Sequence, residues 1–466
     1  MPHDLEAEQA LLGAILHDNE TYNRITPQLQ DKHFYDPVHG RIFAACVERI
    51  ARGELADGVT LKERFTRDGG IQEIGGAIYL MKLLDAAAPL SAQAQSYAQL
   101  IYDLALRREL IRIGTVITDL AENPPDDHKA SDIIEEAERT LFTLAETGTG
   151  HRGFQDFKSA ITASIEVATA AKNRGSDVSG IGTGFRGLDH LLGGLHKSDL
   201  IILAGRPSMG KTALALNLAM NVARAKQKAG KSTEHTGGTV GFFSLEMSGE
   251  QLATRLLSDF AGIESHRIRQ GKIDTGEYGR LVDAAAELHT LPLHIDETGG
   301  ISIAQLHSRA RRLKRTSGLD LVVVDYLQLV TTSSRKSDGR VQEVSEVTQG
   351  LKALAKDLHV PVIALSQLSR QVESRDDKRP QLSDLRESGS IEQDADIVMF
   401  VYREEYYLSR AEPERGTEAH MTWQAKKDAV ANRAELIVGK NRHGPIETVH
   451  LNFHGQFTRF SSISRA

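Results

Sequence analysis

One eight-residue segment, lying between an apolar run and a helix-forming run, constrains the fold of this chain more than any other feature. The segment is Gly205-Arg-Pro-Ser-Met-Gly-Lys-Thr212, and it directly follows the apolar run Leu200–Ala204. Glycines let such a loop curl so that its N–H groups converge, and the following helix adds partial positive charge there. The pattern predicts a phosphate-binding loop between a strand and a helix.

Within this loop, Lys211 is expected to reach the β- and γ-phosphates of a nucleotide, and Thr212 to hold Mg²⁺. The alternative is an ordinary glycine-rich turn that happens to carry Lys-Thr, but the flanking runs favour nucleotide binding. The expected nucleotide-binding residues of the loop are Gly205, Ser208, Gly210, Lys211 and Thr212.

Length and composition indicate a globular chain of more than one domain. It has 466 residues, of which 40% are hydrophobic and 26% are charged. A net charge of −7 argues against non-specific coating of nucleic acid, although it leaves room for a local basic channel. The lone Cys46 excludes an internal disulfide and fits a reducing, cytoplasmic location. No apolar run approaches the length of a membrane span, so no membrane partner is expected.

The pattern of apolar residues divides the chain into three parts. Residues 1–148 show helical periodicity without a catalytic constellation, which favours a helical interaction domain. Residues 149–180 contain glycine-rich breaks around a helix-like stretch from Phe157 to Asn173, which is either a docking linker or a plain surface helix. Residues 181–466 alternate short apolar runs with helical segments, which predicts an α/β domain with a mostly parallel sheet.

Seven apolar runs in this last part are candidate strands. If the sheet is parallel, binding residues lie at the carboxyl ends of its strands. The candidates are Leu200–Ala204, Val240–Leu245, Leu293–Asp296, Leu321–Val324, Val362–Leu365, Ile397–Tyr402 and Leu436–Val438.

Three polar residues stand at the ends of these runs. Asp325 follows Leu321–Val324, where a carboxylate beside the phosphate loop can hold Mg²⁺. Glu246 follows Leu245 and is placed to polarise an attacking water, although it can equally be a helix-start glutamate. Gln367 follows Ser366, and its neutral amide can hydrogen-bond a γ-phosphate.

Two further polar segments are ambiguous from residue types alone. Lys440 and Arg442 follow the last candidate strand; they are a solvated turn or, in an oligomeric ATPase, basic groups that act on a neighbour's nucleotide. Arg386 precedes a short Ser-Gly-Ser stretch that could contact nucleic-acid phosphates, or the stretch is an ordinary surface loop. The histidines are scattered, so no metal other than nucleotide-bound Mg²⁺ is expected.

Six motifs taken together resemble the DnaB family of bacterial replicative DNA helicases. The long string between Ser383 and Asp396 is the most specific of them, because generic phosphate-loop ATPases do not need it. The motifs are Gly205–Thr212, Ser244–Met247, Val324–Leu329, Ser366–Arg370, Ser383–Asp396 and Lys440–Pro445.

The resemblance implies an ATP-driven hexameric ring that moves 5′ to 3′ on single-stranded DNA and unwinds the replication fork. It implies a RecA-like ATPase domain, a linker helix that docks on the adjacent subunit, and an N-terminal collar that recruits primase in the primosome. A helicase loader is a further implied partner. Lys440 and Arg442 would act on the neighbour's nucleotide, whereas Arg386, Glu387 and Gly389 would line the channel and grip DNA.

Two stretches depart from the compact pattern of the family. Residues 225–239 form a longer loop than the join needs, and residues 408–434 lengthen the approach to the last strand. Two other functions remain open at this point: a RecA-like strand-exchange recombinase, and a non-enzymatic scaffold that binds ATP only to assemble. No zinc-binding primase pattern is present, so a fused primase-helicase is not expected.

Overall fold

The chain, represented here by a computed structural model, divides into two compact units, Met1–Ile161 and Thr162–Ala466. The described residues are 1–25, 29–62, 65, 77–87, 91–125, 178–229, 237–331, 340–385 and 389–463, together with scattered positions between 129 and 169. Most of the predicted linker helix, from Phe157 to Asn173, lies outside them.

The first unit is helical, as its periodicity predicts. Asp4 caps its first helix by accepting from the N–H of Ala7, and Asp36 caps its third helix, which begins at Pro37. The described helices are α1 Leu5–His17, α2 Glu20–Arg24, α3 Pro37–Ala51, α4 Ala77–Asp85 and α5 Ser91–Glu122.

Helix α1 lies at the centre of this unit and packs against α3, α4 and α5. Its buried face includes Leu11, Leu12 and Ile15, each fully inaccessible to solvent. Cys46 of α3 is buried in the same core, and burial raises the pKa of its thiol to about 12. A cysteine this deep packs as a small apolar residue.

The second unit is an α/β domain. Its described helices are α6 Arg186–Leu192, α7 Lys211–Ala229, α8 Gly249–Ala261, α9 Ser265–Arg269, α10 Thr275–Leu288, α11 Ile303–Thr316, α12 Arg340–Leu358, α13 Gly389–Asp394, α14 Glu404–Leu408 and α15 Glu418–Ala429. Its strands are β1 Leu200–Gly205, β2 Val240–Ser244, β3 Leu293–Asp296, β4 Leu321–Asp325, β5 Val362–Gln367, β6 Ile397–Tyr402, β7 Arg433–Asn441, β8 Thr448–His454 and β9 Arg459–Ser462.

These strands form one sheet in the order β3-β2-β4-β5-β1-β6-β7-β8-β9. The first six strands in this order are parallel, and β7, β8 and β9 continue the sheet in antiparallel fashion. All seven predicted strands are present, but β7 is longer than predicted and contains Lys440. Strands β8 and β9 were not predicted, although β8 alternates buried and exposed positions as a half-covered strand does.

Helices cover both faces of this sheet. Ile201 and Leu203 of β1 point into a core shared with α7, whereas Leu200 and Ile202 point into a core shared with α11 and α12. Every residue of β1 is buried. Because both faces of the central strands β1, β2, β4, β5 and β6 are covered, these five strands are continuous apolar runs instead of alternating ones.

The two stretches predicted as surface insertions contain helical structure. The first five residues of 225–239 belong to α7, which is a correction to the predicted loop and follows from the helix propensity of Ala-Lys-Gln-Lys-Ala. Residues 230–236 lie outside the described part. The second stretch contains α15, whose Trp423 is buried and donates its indole N–H to the Leu408 carbonyl at 2.7 Å. None of the helices described is both long and apolar enough to cross a membrane.

Two glycines of the first unit predict opposite responses to substitution by alanine. A Cβ on Gly13 of α1 would lie 1.9 Å from the Leu83 carbonyl oxygen, so Gly13→Ala must push α1 away from α4. A Cβ on Gly114 of α5 meets nothing within 4 Å, so Gly114→Ala should stabilise its helix by about 1 kcal/mol. Hydrogen exchange of the full chain should show lost protection in α1 and α4 for the first variant only. Equal protection in both variants would contradict this packing.

Candidate nucleotide site and a distant basic pair

The predicted phosphate-binding loop, Gly205–Thr212, follows the carboxyl end of β1 and leads into α7. Ser208 and Gly210 adopt positive φ angles of 66° and 97°, which turn the backbone sharply before α7 begins. The Lys211 ammonium group donates to the carbonyl of Gly205 at 2.7 Å and to that of Arg206 at 3.3 Å. The loop and its lysine thus form a compact cationic cradle at the amino end of a 19-residue helix.

Asp325 lies beside this loop at the end of β4, with only 2% of its surface exposed. Burial raises the pKa of its carboxyl group, and a hydrogen bond with the Thr212 side chain opposes that rise. The second carboxylate oxygen, Oδ2, is buried without a hydrogen-bond partner. A buried anionic oxygen of this kind needs a cation or a donor to offset its desolvation.

Glu246 lies in a short turn that joins β2 to α8. The Ser244 hydroxyl donates to the Met247 carbonyl at 2.6 Å, and the Leu245 N–H donates to the Asp325 carbonyl at 2.8 Å. The second bond ties the turn to the end of β4. The Glu246 side chain is exposed, and its charge influences both Lys211 and Asp325.

Burial has a strong effect on Lys211 itself. It lowers the pKa of the ammonium group to about 8, even though the charges of Asp325 and Glu246 oppose the change and only Arg206 adds to it. A lysine in such surroundings loses its proton at a lower pH than a lysine in water, and a bound polyphosphate would raise its pKa again.

Gln367 is the neighbour of the phosphate loop across the sheet, because β5 pairs with β1 in a register that sets Gln367 opposite Gly205. The loop is anchored on the same side by Arg206. Its guanidinium group donates to the Leu368 carbonyl at 3.0 Å and to the Glu373 carboxylate at 2.9 Å. Parallel pairing therefore brings Lys211, Thr212, Asp325, Glu246 and Gln367 to one edge of the sheet, as predicted.

Two arginines near this edge were not identified from the sequence. Arg255 of α8 lies close enough for its charge to interact with Asp325 and Glu246, and burial lowers the pKa of its guanidinium group. A signal was present, because Arg255 falls on the same helical stripe as the buried Leu252 and Leu256.

Arg403 is the second arginine that the sequence analysis did not identify, and its side chain lies beside the phosphate loop. Its guanidinium carbon lies 3.9 Å from the centroid of the Phe453 ring, and Nη1 donates to the Ser208 carbonyl at 3.5 Å. A cleft of about 310 Å³ opens there, lined by Arg403, Glu405, Asn432 and Phe453 among others. Phe453 belongs to β8, so the cleft could not be anticipated while that strand was unknown.

Lys440 and Arg442 are not brought to this edge. Asn441 pairs with Ile397, the first residue of β6, so the basic pair lies at the amino end of the parallel strands. Lys440 donates to the carbonyls of Glu392 and, at 2.8 Å, Ala395. Lys440 is part of strand β7 and not of a turn after it, which corrects its predicted position.

The predicted DNA-contacting residues are only partly described. Arg386 and Glu387 lie outside the described residues. Gly389 is the first residue of α13, is exposed, and has open space around its Cβ position.

Comparison with known proteins decides the family. The profile of the DnaB-like helicase C-terminal domain matches residues 180–462, and that of the N-terminal domain matches residues 1–103. The chain belongs to the DnaB-like replicative helicase family. It is 46% identical to the replicative DNA helicase DnaB of Rickettsia conorii, over 99% of this chain and 93% of that protein. It is 39% identical to the DnaB of Geobacillus stearothermophilus, over 100% of this chain and 95% of that protein.

Solved structures agree with this membership. A DnaB-like replicative helicase, studied together with its interactions with primase, has a TM-score of 0.69 at 30% identity and covers 99% of this chain and 100% of its own. The ATPase domain of G40P has a TM-score of 0.56 at 34% identity, over 67% of this chain and 100% of its own. The predicted DnaB-family resemblance, fold class and ATP-dependent helicase activity are thereby confirmed. Neither the recombinase nor the scaffold alternative is supported.

The low pKa of Lys211 predicts how the affinity of this DnaB-family site for ATP depends on pH. Because bound phosphates favour the ammonium form, the site must take up a proton on binding above pH 8, and affinity should fall there by up to about tenfold per pH unit. Titration of the full chain with a fluorescent ATP analogue between pH 7 and 9.5 measures this fall. Lys211→Arg is the control, since its guanidinium stays charged throughout. A flat profile for the unmodified chain would contradict the assignment.

Proposed function

We propose that this DnaB-family helicase works as a homohexameric ring that moves 5′ to 3′ on single-stranded DNA and unwinds the fork. One observation carries the proposal: the phosphate loop lies at the carboxyl edge of the parallel strands, whereas Lys440 and Arg442 lie at the opposite edge. A basic pair so placed cannot reach its own subunit's nucleotide, but it suits a neighbour's nucleotide in a ring.

The proposed ATP site assigns one task to each side chain at the carboxyl edge. Lys211 and the loop N–H groups, with Gly205, Ser208 and Gly210, bind the phosphates. Glu246, held by the turn that is tied to β4, orients and polarises the attacking water. Gln367, opposite Gly205, hydrogen-bonds the γ-phosphate and thereby distinguishes ATP from ADP.

We assign Mg²⁺ to Thr212 and Asp325, and the residues present fit such an ion. Asp325 Oδ2 is buried without a partner, and the Thr212 hydroxyl group lies against the same carboxylate. Hydroxyl and carboxylate oxygens are ligands that Mg²⁺ prefers. Bound there, the ion would neutralise charge on the β- and γ-phosphates.

Lys440 and Arg442 are proposed to complete the site of the adjacent subunit. Negative charge spreads over the γ-phosphoryl oxygens in the transition state, and an arginine supplied in trans is worth about 10³ to 10⁵ in rate. Hydrolysis would then require two subunits in register, which links turnover to the state of the ring.

The remaining assignments rest on membership of the DnaB family. Residues 1–148 form the collar that contacts primase, residues 149–180 carry the linker helix, and residues 181–466 form the motor. Arg386, Glu387 and Gly389 grip the DNA backbone, and a helicase loader places the ring on DNA. The chain acts in the cytoplasm, where the chromosome is replicated.

Mixing two inactive variants tests the trans arrangement. Arg442→Ala and Glu246→Ala should each lower ATP turnover by about 10³ or more, because each removes one half of every interface. Mixed rings should regain turnover and unwinding of a forked duplex, since some interfaces combine an intact Glu246 with an intact Arg442. The particle size with ATP and a fork should correspond to six subunits. A mixture that stays inactive would favour a purely structural role for Arg442 within its own subunit.

Substitution of Arg386 tests the proposed DNA contact. Arg386→Ala should weaken single-stranded DNA binding and reduce the slope of log affinity against log salt by about 1, because one phosphate contact is lost. ATP turnover without DNA should be unchanged. Arg415→Ala is the matched control, since Arg415 is 84% exposed and pairs only with the nearby Glu412 among the ion pairs described. An unchanged salt slope for Arg386→Ala would contradict the contact.

A further inference from the structure

Asp396 connects the basic pair to the middle of the sheet. Its carboxylate is almost fully buried, and Oδ2 accepts from the Leu200 N–H at 2.8 Å and from the Lys352 ammonium group. Oδ1 faces Arg442, whose Nη1 lies 3.3 Å away. The Arg442 N–H also donates to the Asp396 carbonyl at 3.0 Å, so both the backbone and the side chain of Arg442 are held by one residue.

The end of helix α13 supplies the other contacts of the basic pair. The Arg442 guanidinium group also donates to the Gln393 carbonyl, and Lys440 donates to the carbonyls of Glu392 and Ala395. The last carbonyls of a helix have no partner within it and carry partial negative charge, so they are natural acceptors for cations. The position of Arg442 is therefore defined by two acceptors of different kinds.

Helix α13 is itself well anchored. Ile391 is fully buried, and the hydroxyl groups of Ser390 and Ser345 are 2.7 Å apart, which joins α13 to α12. Asp396 is the point at which this anchored segment enters β6. The Asp396 carboxylate is therefore fixed in place, and it can hold the Arg442 side chain in one orientation.

Several charged side chains surround Asp396. Lys352 and Arg442 face it, while Asp199 and His443 lie in the same cluster. Asp199, Asp396 and His443 could by distance ligate a metal ion. Both oxygens of Asp396 already face basic side chains, however, which leaves little reason for a further cation.

We propose that Asp396 is the positioning residue for Arg442, and that it aims the guanidinium group at the nucleotide of the adjacent subunit. This inference rests on the proposed trans action of Arg442. Asp396 lies at the amino edge of the parallel strands, so it acts on a neighbour's site and not on its own. A misplacement of about 1 Å in a catalytic group can cost 10²-fold in rate.

The variant Asp396→Asn tests the proposal, because it preserves shape and an acceptor for the Leu200 N–H while removing the charge that holds Arg442. We expect kcat for ATP hydrolysis to fall roughly 10-fold to 10²-fold while KM stays within about twofold. In an Arg442→Ala background the same substitution should cause no further loss of kcat. A full additional loss there would show that Asp396 acts by another route and would overturn the proposal.

Complementation distinguishes positioning from general damage. A subunit with Asp396→Asn keeps its own Glu246 and phosphate loop, so mixing with Glu246→Ala subunits should restore turnover at interfaces that receive an intact Arg442. If Asp396→Asn instead damaged the ATP site of its own subunit, its mixture with Glu246→Ala would stay inactive. Such a result would overturn the proposed positioning role of Asp396 when the parallel mixture of Arg442→Ala and Glu246→Ala regains activity. Failure of both mixtures would refute the trans action and this inference with it.

Two further variants serve as a control and as a replacement for Asp396→Asn. Asp357→Asn is the matched control, because Asp357 also accepts from two basic side chains, His307 and Arg311, and it should leave turnover unchanged. Asp396→Glu retains the charge and serves if the asparagine variant does not assemble into rings. Its kcat should lie between those of the asparagine variant and the unmodified chain, and it should be complemented in the same mixture. A glutamate variant without a kcat defect or without complementation would overturn the proposal.

Discussion

Parallel pairing of β1 between β5 and β6 is the constraint on which the ATPase unit depends. It sets Gly205 opposite Gln367 and Ala204 opposite Phe400, so strands from distant parts of the chain end at the same edge. The phosphate loop leaves the sheet at this point, and Asp325 and Glu246 arrive from β4 and β2 on one side of it. Ligands bind at such edges because loops and helix N-termini converge there.

The change to antiparallel pairing at β7 has the opposite consequence. Because β7 runs back along β6, it carries Lys440 and Arg442 away from the phosphate loop of their own subunit. In the proposed ring this reversal separates the two halves of each catalytic interface onto different subunits. Turnover at one site then depends on the position of the next subunit, which is what a motor that moves along DNA requires.

Burial supplies the electrostatics of the site. Desolvation lowers the pKa of Lys211 and raises that of Asp325, so both charged forms are less stable than they would be in water. A polyphosphate with its cation would relieve both costs at once. Arg255 and Arg403 add partly buried positive charge to the same region. The helical stripe of α8 signalled Arg255, whereas the surroundings of Arg403 depend on the unpredicted strand β8. The charge of each arginine reaches the site because of how α8 and the end of β6 are oriented in the fold.

The sequence by itself determined the local parts of this protein. Apolar runs predicted seven strands, five of which are apolar because both of their faces are covered. The Gly205–Thr212 spacing predicted the loop. Strand β8 was missed even though Val449, Leu451 and Phe453 alternate with polar residues. Only the tertiary structure decided the order of the strands. It also decided that Arg442 lies far from the phosphate loop and contacts Asp396. These features depend on pairing between segments far apart in the chain, and local periodicity carries no information about such pairing.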